Sequence, residues 1–434
     1  MADIINSEIG AHPADWSIQR VDSLFDIQQG KSVSKAHRKG DNQKPFLRTK
    51  NIFWGQIDTT ELDQMHFTSA EEARLKLQVG DLLLCEGGDV GRTAIWNDQT
   101  ESCYYQNHLH RLRAKAVNEV DPQFALYWFW YAFEVANIYI GRSNVTTIPN
   151  LSQSKLSELQ IPKPEFEEQH RIAHVLSTVQ TSIEQQARLI ALTREIKSAL
   201  MRKLFTEGLH GEKQKETEIG LVPESWEMSI LREFANEITD FTANGSFASL
   251  RENVEYMDKE DYAILLRLLD HSNKFSKDFV YVNKHAYDFL KKSWLMPGSV
   301  IVSNIGARLG TVFRAPNLAK PMTLGPNALV VRAGEDDDFV YYWLQSEQAQ
   351  KYIKFITSIS AQPKFNKTDF RNTPVPIPNK NERDEIANIL SQIDYKIYLE
   401  QSRLEKYSEL FRSLLHQLMT GQIRVNEVDL PDLS

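Results

Sequence analysis

Through residues 165–206 the inward-facing positions advance in alternate steps of four and three: Ile172, Leu176, Val179, Ile183, Gln186, Ile190, Thr193, Lys197, Leu200 and Leu204. That spacing is the heptad seam of a helix facing a partner helix. The same steps return in 381–420 as Ile386, Leu390, Ile393, Ile397, Glu400, Leu404, Tyr407, Phe411, Leu414 and Leu418, at a constant offset of 386 − 172 = 214. The partner is therefore predicted within the same chain. Both copies carry a polar residue at the fifth step, Gln186 and Glu400, which costs stability but fixes the register of two specific helices. A helix of about 40 residues rising about 1.5 Å each is roughly 60 Å long, more than a small domain's core requires. It reads as a spacer.

The remaining pattern is duplicated as well. Glu8-Ile9-Gly10 followed by Pro13 and Trp16 recurs as Glu218-Ile219-Gly220 followed by Pro223 and Trp226, offset 219 − 9 = 210. Val79-Gly80-Asp81-Leu82-Leu83-Leu84 with Gly88 answers Pro297-Gly298-Ser299-Val300-Ile301-Val302 with Gly306, each a turn, a short apolar strand and a glycine-bearing loop. Phe124-Ala125-Leu126-Tyr127-Trp128 answers Phe339-Val340-Tyr341-Tyr342-Trp343, a buried helix opening after acidic residues suited to a helix N-terminus. Ile161-Pro162-Lys163-Pro164 answers Val375-Pro376-Ile377-Pro378, where alternate prolines impose an extended approach to the long helix. The chain reads as a tandem duplication in which each repeat is a mixed strand-and-helix globule followed by a long helix.

Composition narrows the class. With 434 residues there is room for two or three domains. Cys85 and Cys103 are the only cysteines, without a CxxC pair; this argues against a disulfide framework or zinc ribbon and for a reducing compartment. No basic-then-apolar signal pattern opens the chain, and the strongest apolar run, 124–133, is too short to span a bilayer, so a cytoplasmic protein without a membrane partner is expected. The formal charge of −8 excludes a surface coated in positive charge while leaving room for a local basic groove.

Between the repeated landmarks the two globules diverge. The first gathers Lys31, Lys35, Arg38, Lys39, Lys44, Arg48 and Lys50, with only Asp41 opposing within the stretch, among Ser32, Ser34, Asn42, Gln43 and Asn51. Such a mixture suits phosphate contacts with base-reading amides beside them, and equally a solvated basic loop. In the second globule the basic residues sit elsewhere, at Arg308, Arg314, Lys320, Lys364, Lys367 and Arg371. Catalytic signals are weak. There is no Asn/Asp-Pro-Pro-aromatic loop of an amino methyltransferase. Gly30-Lys31-Ser32 imitates the end of a P-loop, but Phe25 stands where its first glycine belongs. His170 and His174 are spaced for a metal yet lack the Glu of HExxH, so a solvated helix face is the better reading and no metal site is assigned. Glu195-x-Lys197 lies in the seam, which accounts for it. His108 and His110 beside Asn107 either reach DNA or fill a strand end.

The element Ile-Gly-x-x-Pro-x-x-Trp, the approach Ile161-Pro162-Lys163-Pro164 to Glu168-Gln169-His170-Arg171-Ile172-Ala173, and the ending Leu418-Met419-Thr420-Gly421-Gln422-Ile423-Arg424-Val425, in this order and duplicated, resemble the specificity subunit of type I restriction-modification enzymes over essentially the whole chain. The second copy departs at Glu382-Arg383-Asp384-Glu385-Ile386-Ala387, where Arg383 replaces Gln169. The resemblance implies an α/β fold of two target recognition domains, 1–163 and 211–378, separated by two long antiparallel coiled-coil helices, 164–210 and 379–422, with pseudo-two-fold symmetry and a tail at 423–434. It implies a non-catalytic subunit that reads a bipartite, asymmetric double-stranded DNA target, joined by two methyltransferase subunits and by ATP-dependent translocase/endonuclease restriction subunits. S-adenosylmethionine, ATP and magnesium would belong to those partners. Candidate DNA contacts are Lys31, Lys35, Arg48, Lys50, Asn51, Arg92, Asn107, His108, Arg142 and Asn144 in the first globule, and Arg267, Asn304, Arg308, Asn327, Lys364 and Lys367 in the second. Two rivals from other classes are a fused methyltransferase or nuclease, which would turn over S-adenosylmethionine or cut DNA by itself, and a coiled-coil adaptor, which would show no sequence preference on DNA.

Overall fold

The computed structural model describes residues 3–35, 37–139, 150–358 and 360–425. The chain divides into two compact units, Met1–Arg188 together with Gln401–Ser434 (unit 1), and Leu189–Glu400 (unit 2). The expected boundaries separate globules from helices. The structure instead parcels each long helix, Phe166–Glu207 and Lys380–Met419, between the units, because each end of a helix belongs to a globule's core.

Unit 1 is built on an antiparallel sheet ordered Thr93–Ile95, Leu82–Cys85, Leu109–Ala114, Phe25–Gln29. All four side chains of Leu82–Cys85 are fully buried, and strand geometry sends them alternately to opposite faces. Leu82 and Leu84 join the core under the helix Pro122–Trp130; Leu83 and Cys85 join a second core with Phe46 and Tyr105, supplied by the sheet Tyr104–Tyr105, Gln43–Leu47, Asp63–His66. A continuous apolar run is what a strand covered on both faces requires. Unit 2 repeats the sheet in the order Val312–Arg314, Val300–Ser303, Ala328–Arg332, Glu237–Asp240. There Val300 and Val302 face one core and Ile301 the other.

The aromatic helix Pro122–Trp130 starts at Pro122 with Asp121 as its cap, whose carboxylate accepts the N–H groups of Gln123 at 2.7 Å and Phe124 at 3.1 Å. The predicted acidic start is thus a hydrogen-bonded cap. Onto this helix and its counterpart Asp337–Gln345 pack the long helices. In unit 1, Ile172 and Leu176 lie in one core with Phe411, Leu415, Leu418 and Met419; in unit 2, Leu204 and Phe205 share a core with Ile386 and Leu390. Within each unit the start of one helix lies beside the end of the other, so the segments are antiparallel. Gln186, Ile190 and Glu400 are buried, and Ile183, Leu200, Ile397, Leu404 and Leu414 half-buried. Tyr407, expected in the seam, is exposed; near the globule a broader face including Leu415 and Met419 is buried instead of a narrow seam. No helix among the described residues is long and apolar enough to cross a membrane.

Both repeated motifs meet at one interaction. The indole N–H of Trp16 donates to Glu168 at 3.1 Å, and that of Trp226 to Glu382 at 3.1 Å, all four residues being buried. In unit 1 the guanidinium of Arg424 completes the clasp, with Nε 2.6 Å from Glu168 Oε1 and Nη2 2.9 Å from Asp15 Oδ2. In unit 2 the backbone N–H of Leu209 donates to Glu382 at 3.1 Å. Gly421, at φ +64, leaves room for Pro13, whose Cγ would stand 2.1 Å from an added Cβ. The departure at Arg383 is also resolved. Gln169 donates to the carbonyl of Pro164 and accepts from the N–H of Asp121, while Arg383 donates to the carbonyl of Pro378 and to Asp336. Both tie the start of a long helix to the aromatic helix.

Lys31 corrects a sequence expectation. It is 8 % exposed, and its ammonium donates to Glu71 at 2.6 Å and the carbonyl of His66 at 2.8 Å. Burial works against ionisation of Glu71, yet the Lys31 ammonium and the N–H and hydroxyl of Thr68 outweigh it and hold the carboxyl down to about 2.

Replacing Trp16 or Trp226 by Phe leaves a buried carboxylate with one donor fewer. Each variant should lose about 1–3 kcal/mol, seen as a lowered Tm; an unchanged Tm in both would mean the clasp is idle. A depressed carboxyl contributes stability that is complete above its unfolded value of about 4.5 and lost as pH falls toward about 2. Glu71→Gln should therefore be less stable than the parent at about pH 6, and the difference in urea midpoints should shrink as pH is lowered through about 4 to about 3.

Candidate nucleic-acid interface

The basic stretch of the first globule is not a bare positive surface. Carboxylates remote in sequence fold against it: Arg48 lies 3.0 Å from Asp63, Arg38 3.9 Å from the same group, Lys50 3.4 Å from Glu61 and Lys44 3.9 Å from Glu72. Along the stretch itself only Asp41 opposes these residues; the fold adds Glu61, Asp63 of the neighbouring strand Asp63–His66 and Glu72 of the helix Ser69–Leu75. With Lys31 enclosed, Lys35 is the exposed lysine at the start of the stretch. Asn51 is a structural amide, 3 % exposed; it donates to the carbonyls of Asp58 and Glu61 and accepts from Arg48 N–H. Arg92 pairs with Asp89 at 2.6 Å, donates to the carbonyl of Thr49 and lies over the Phe53 ring.

In unit 2, Arg267 is held by Asp270 at 2.8 Å and the carbonyl of Asp278, and Lys367 by Asp240 at 3.0 Å. Arg308 is exposed and donates to the Ser272 hydroxyl; Lys364 is exposed. Arg142 and Asn144 lie outside the described residues. His170 pairs with the cap Asp121 at 3.0 Å, so this imidazole serves a helix junction.

What the fold does bring together is a matched set at one end of each four-stranded sheet. Leu109 pairs with Cys85 and His110 with Gln29 in unit 1; Ala328 pairs with Ser303 and Leu329 with Asp240 in unit 2. The N–H of Glu86 bonds to the carbonyl of His108, and that of Asn304 to the carbonyl of Asn327. Gln29, Glu86 and His108 therefore occupy the positions of Asp240, Asn304 and Asn327. In unit 1, Gln29 donates to Glu86 at 3.1 Å and to the carbonyl of Asn107 at 2.9 Å, and the exposed His108 stands 3.8 Å from Glu86. His110 instead fills the strand: it is fully buried, bonded to the carbonyl of Leu151 at 2.9 Å, and burial lowers its pKa. Asn107 is half-buried. In unit 2, Asn327 is exposed and Asn304 half-buried. Gln29, Glu86 and Asp240 were not singled out from sequence. Their only local sign is a polar residue ending an apolar strand; the pairing register is what makes them neighbours.

This arrangement supplies amides, carboxylates and an imidazole for hydrogen bonds with base edges, and outlying cations for phosphates. Cys85 and Cys103 are free and buried, and burial pushes their thiols up to about 11 and about 12, so neither is poised as a nucleophile.

Comparison with known proteins agrees with this duplicated frame. The model of the Type I restriction modification DNA specificity domain matches residues 13–194 and again 223–407. A Methanocaldococcus jannaschii chain named for the specificity subunit of type I restriction enzyme MjaX is 26 % identical over 432 residues, covering 96 % of each chain. The Escherichia coli EcoBI specificity subunit is 23 % identical, over 99 % of this chain and 90 % of the relative. Among solved structures, the S subunit of a type I restriction-modification system from M. genitalium superposes with a TM-score of 0.55 at 17 % identity, covering 96 % of this chain and 97 % of that one. Two family matches, one per repeat and together spanning most of the sequence, place this chain in the type I restriction modification DNA specificity family.

Proposed function

We propose that this chain is the DNA-reading specificity subunit of a type I restriction-modification complex. Each unit reads one half of a bipartite, asymmetric duplex target, and the assembly places two methyltransferase subunits and ATP-dependent restriction subunits on that target. The observation that carries the reading is the pair of register-matched sheet ends with unlike polar groups: Gln29, Glu86 and His108 in one, Asp240, Asn304 and Asn327 in the other. One frame used twice with different donors and acceptors suits two different half-sites. The chain itself performs no bond-making step in this reading; S-adenosylmethionine, ATP and magnesium are used by the partner subunits.

Sequencing the methylome of the host with and without this gene tests the proposal. Its loss should erase one modified motif made of two unlike half-sites separated by unread bases; a continuous or perfectly palindromic motif would refute the two-reader arrangement. A salt titration separates phosphate contacts from structural charges. Lys35→Ala with Lys364→Ala should weaken binding to all duplexes and flatten the salt dependence by up to about one unit of slope per lost contact. Lys31→Ala should instead lower Tm, because it removes the ammonium shared by Glu71 and the carbonyl of His66 and leaves Glu71 with the Thr68 donors alone.

A further inference from the structure

The end of the unit 2 sheet opens into a cleft of about 490 Å³. Asn304 and Asn327 line it together with Leu250, Arg251, Tyr256 and Phe247, the last a residue 81 % exposed. Two features mark this cleft. Asn327 follows Pro326 with φ +70, a left-handed turn backbone that asparagine adopts more readily than most residues, and its exposed side-chain amide makes no hydrogen bond among the described residues. Beneath it, Asn304 Nδ2 reaches the carbonyl of Phe365 at 3.5 Å, whereas Asn304 Oδ1 and the Ser303 hydroxyl are buried without a partner among the described residues. An unmet acceptor inside a fold is unfavourable, and strained or unmet groups concentrate where a ligand completes them.

We infer that Asn327, backed by Asn304 in this cleft, is the specificity-determining residue of unit 2, and that it reads the major-groove edge of an adenine. Its amide oxygen accepts from the adenine N6 amino group while its amide nitrogen donates to N7. The exposed Phe247 ring offers an apolar surface of the kind that meets a thymine methyl group, and Arg251 on the rim reaches toward phosphate. At the matching place unit 1 presents the imidazole of His108 beside the carboxylate of Glu86, so the same base edge would not satisfy it. This inference rests on the DNA-reading function proposed above.

The test is the methylome of hosts carrying single variants in the intact complex. Asn327→Gly keeps the left-handed backbone and removes the amide. One adenine position should become degenerate, with discrimination falling about tenfold or more, while Tm and the other half-site stay as in the parent. Asn327→Asp turns the donor into an acceptor and should move the preference at that position toward cytosine, whose N4 amino group donates. His108→Ala should alter only the opposite half-site. If deleting the gene changes no motif, the DNA-reading function itself falls and this inference with it. If deletion erases a motif that both Asn327 variants leave intact, or if they weaken both half-sites alike, Asn327 is a turn residue and the assignment alone is overturned.

Discussion

A buried carboxylate must be given donors wherever the chain places it, and this constraint organises both units. Glu168 and Glu382 begin the long helices deep inside the protein, where an uncompensated charge would be strongly destabilising. The tryptophan of each Ile-Gly-x-x-Pro-x-x-Trp motif answers that need, and the clasp ties that motif to the start of the long helix. Unit 1 finishes the set with Arg424, from the opposite end of the chain, while unit 2 uses a backbone N–H at Leu209. The first unit is consequently assembled from both ends of the sequence.

Around this fixed point the duplicated frame tolerates chemical substitution as long as each polar group keeps a partner. Tyr127 donates to Gln180 at 2.7 Å beside Phe411; in unit 2, Tyr342 donates to Asp394 at 3.0 Å, and Lys197 pairs with that carboxylate at 2.6 Å. A neutral hydrogen bond in one unit is an ion pair in the other. Gln169 and Arg383 form a similar exchange, since an amide and a guanidinium both reach the carbonyl left open by an extended proline segment.

The same freedom at the sheet ends has another consequence. Of the side chains there only His108 and Asn327 are exposed, and none of the six belongs to the two apolar cores that each central strand serves. Positions close to the basic loop are more constrained: Lys31, Arg48 and Asn51 each hold a turn or a helix start in place. Their charge and polarity are used within the domain. Exposed groups such as Lys35, Lys364 and His108 remain available to a partner molecule.

The duplication, the two long helices and their antiparallel seam, the aromatic helices with their acidic starts and the apolar strands were all legible along the chain. Each rests on periodicity or on motifs repeated at nearly constant offset, which local chemistry dictates. The recurrence of Trp16 and Glu168 as Trp226 and Glu382 is equally plain in the sequence, which does not indicate that they bond. That Lys31 and Asn51 face inward, that Asp63 and Glu61 neutralise a run counted as basic, and that Tyr407 faces outward became visible in the fold and not before. The physical reason is that charge balance and burial depend on residues brought close by strand pairing and by packing across tens or hundreds of positions. Pairing register likewise placed Gln29, Glu86 and Asp240 at the same sheet ends as His108 and Asn327, an adjacency with no period along the chain.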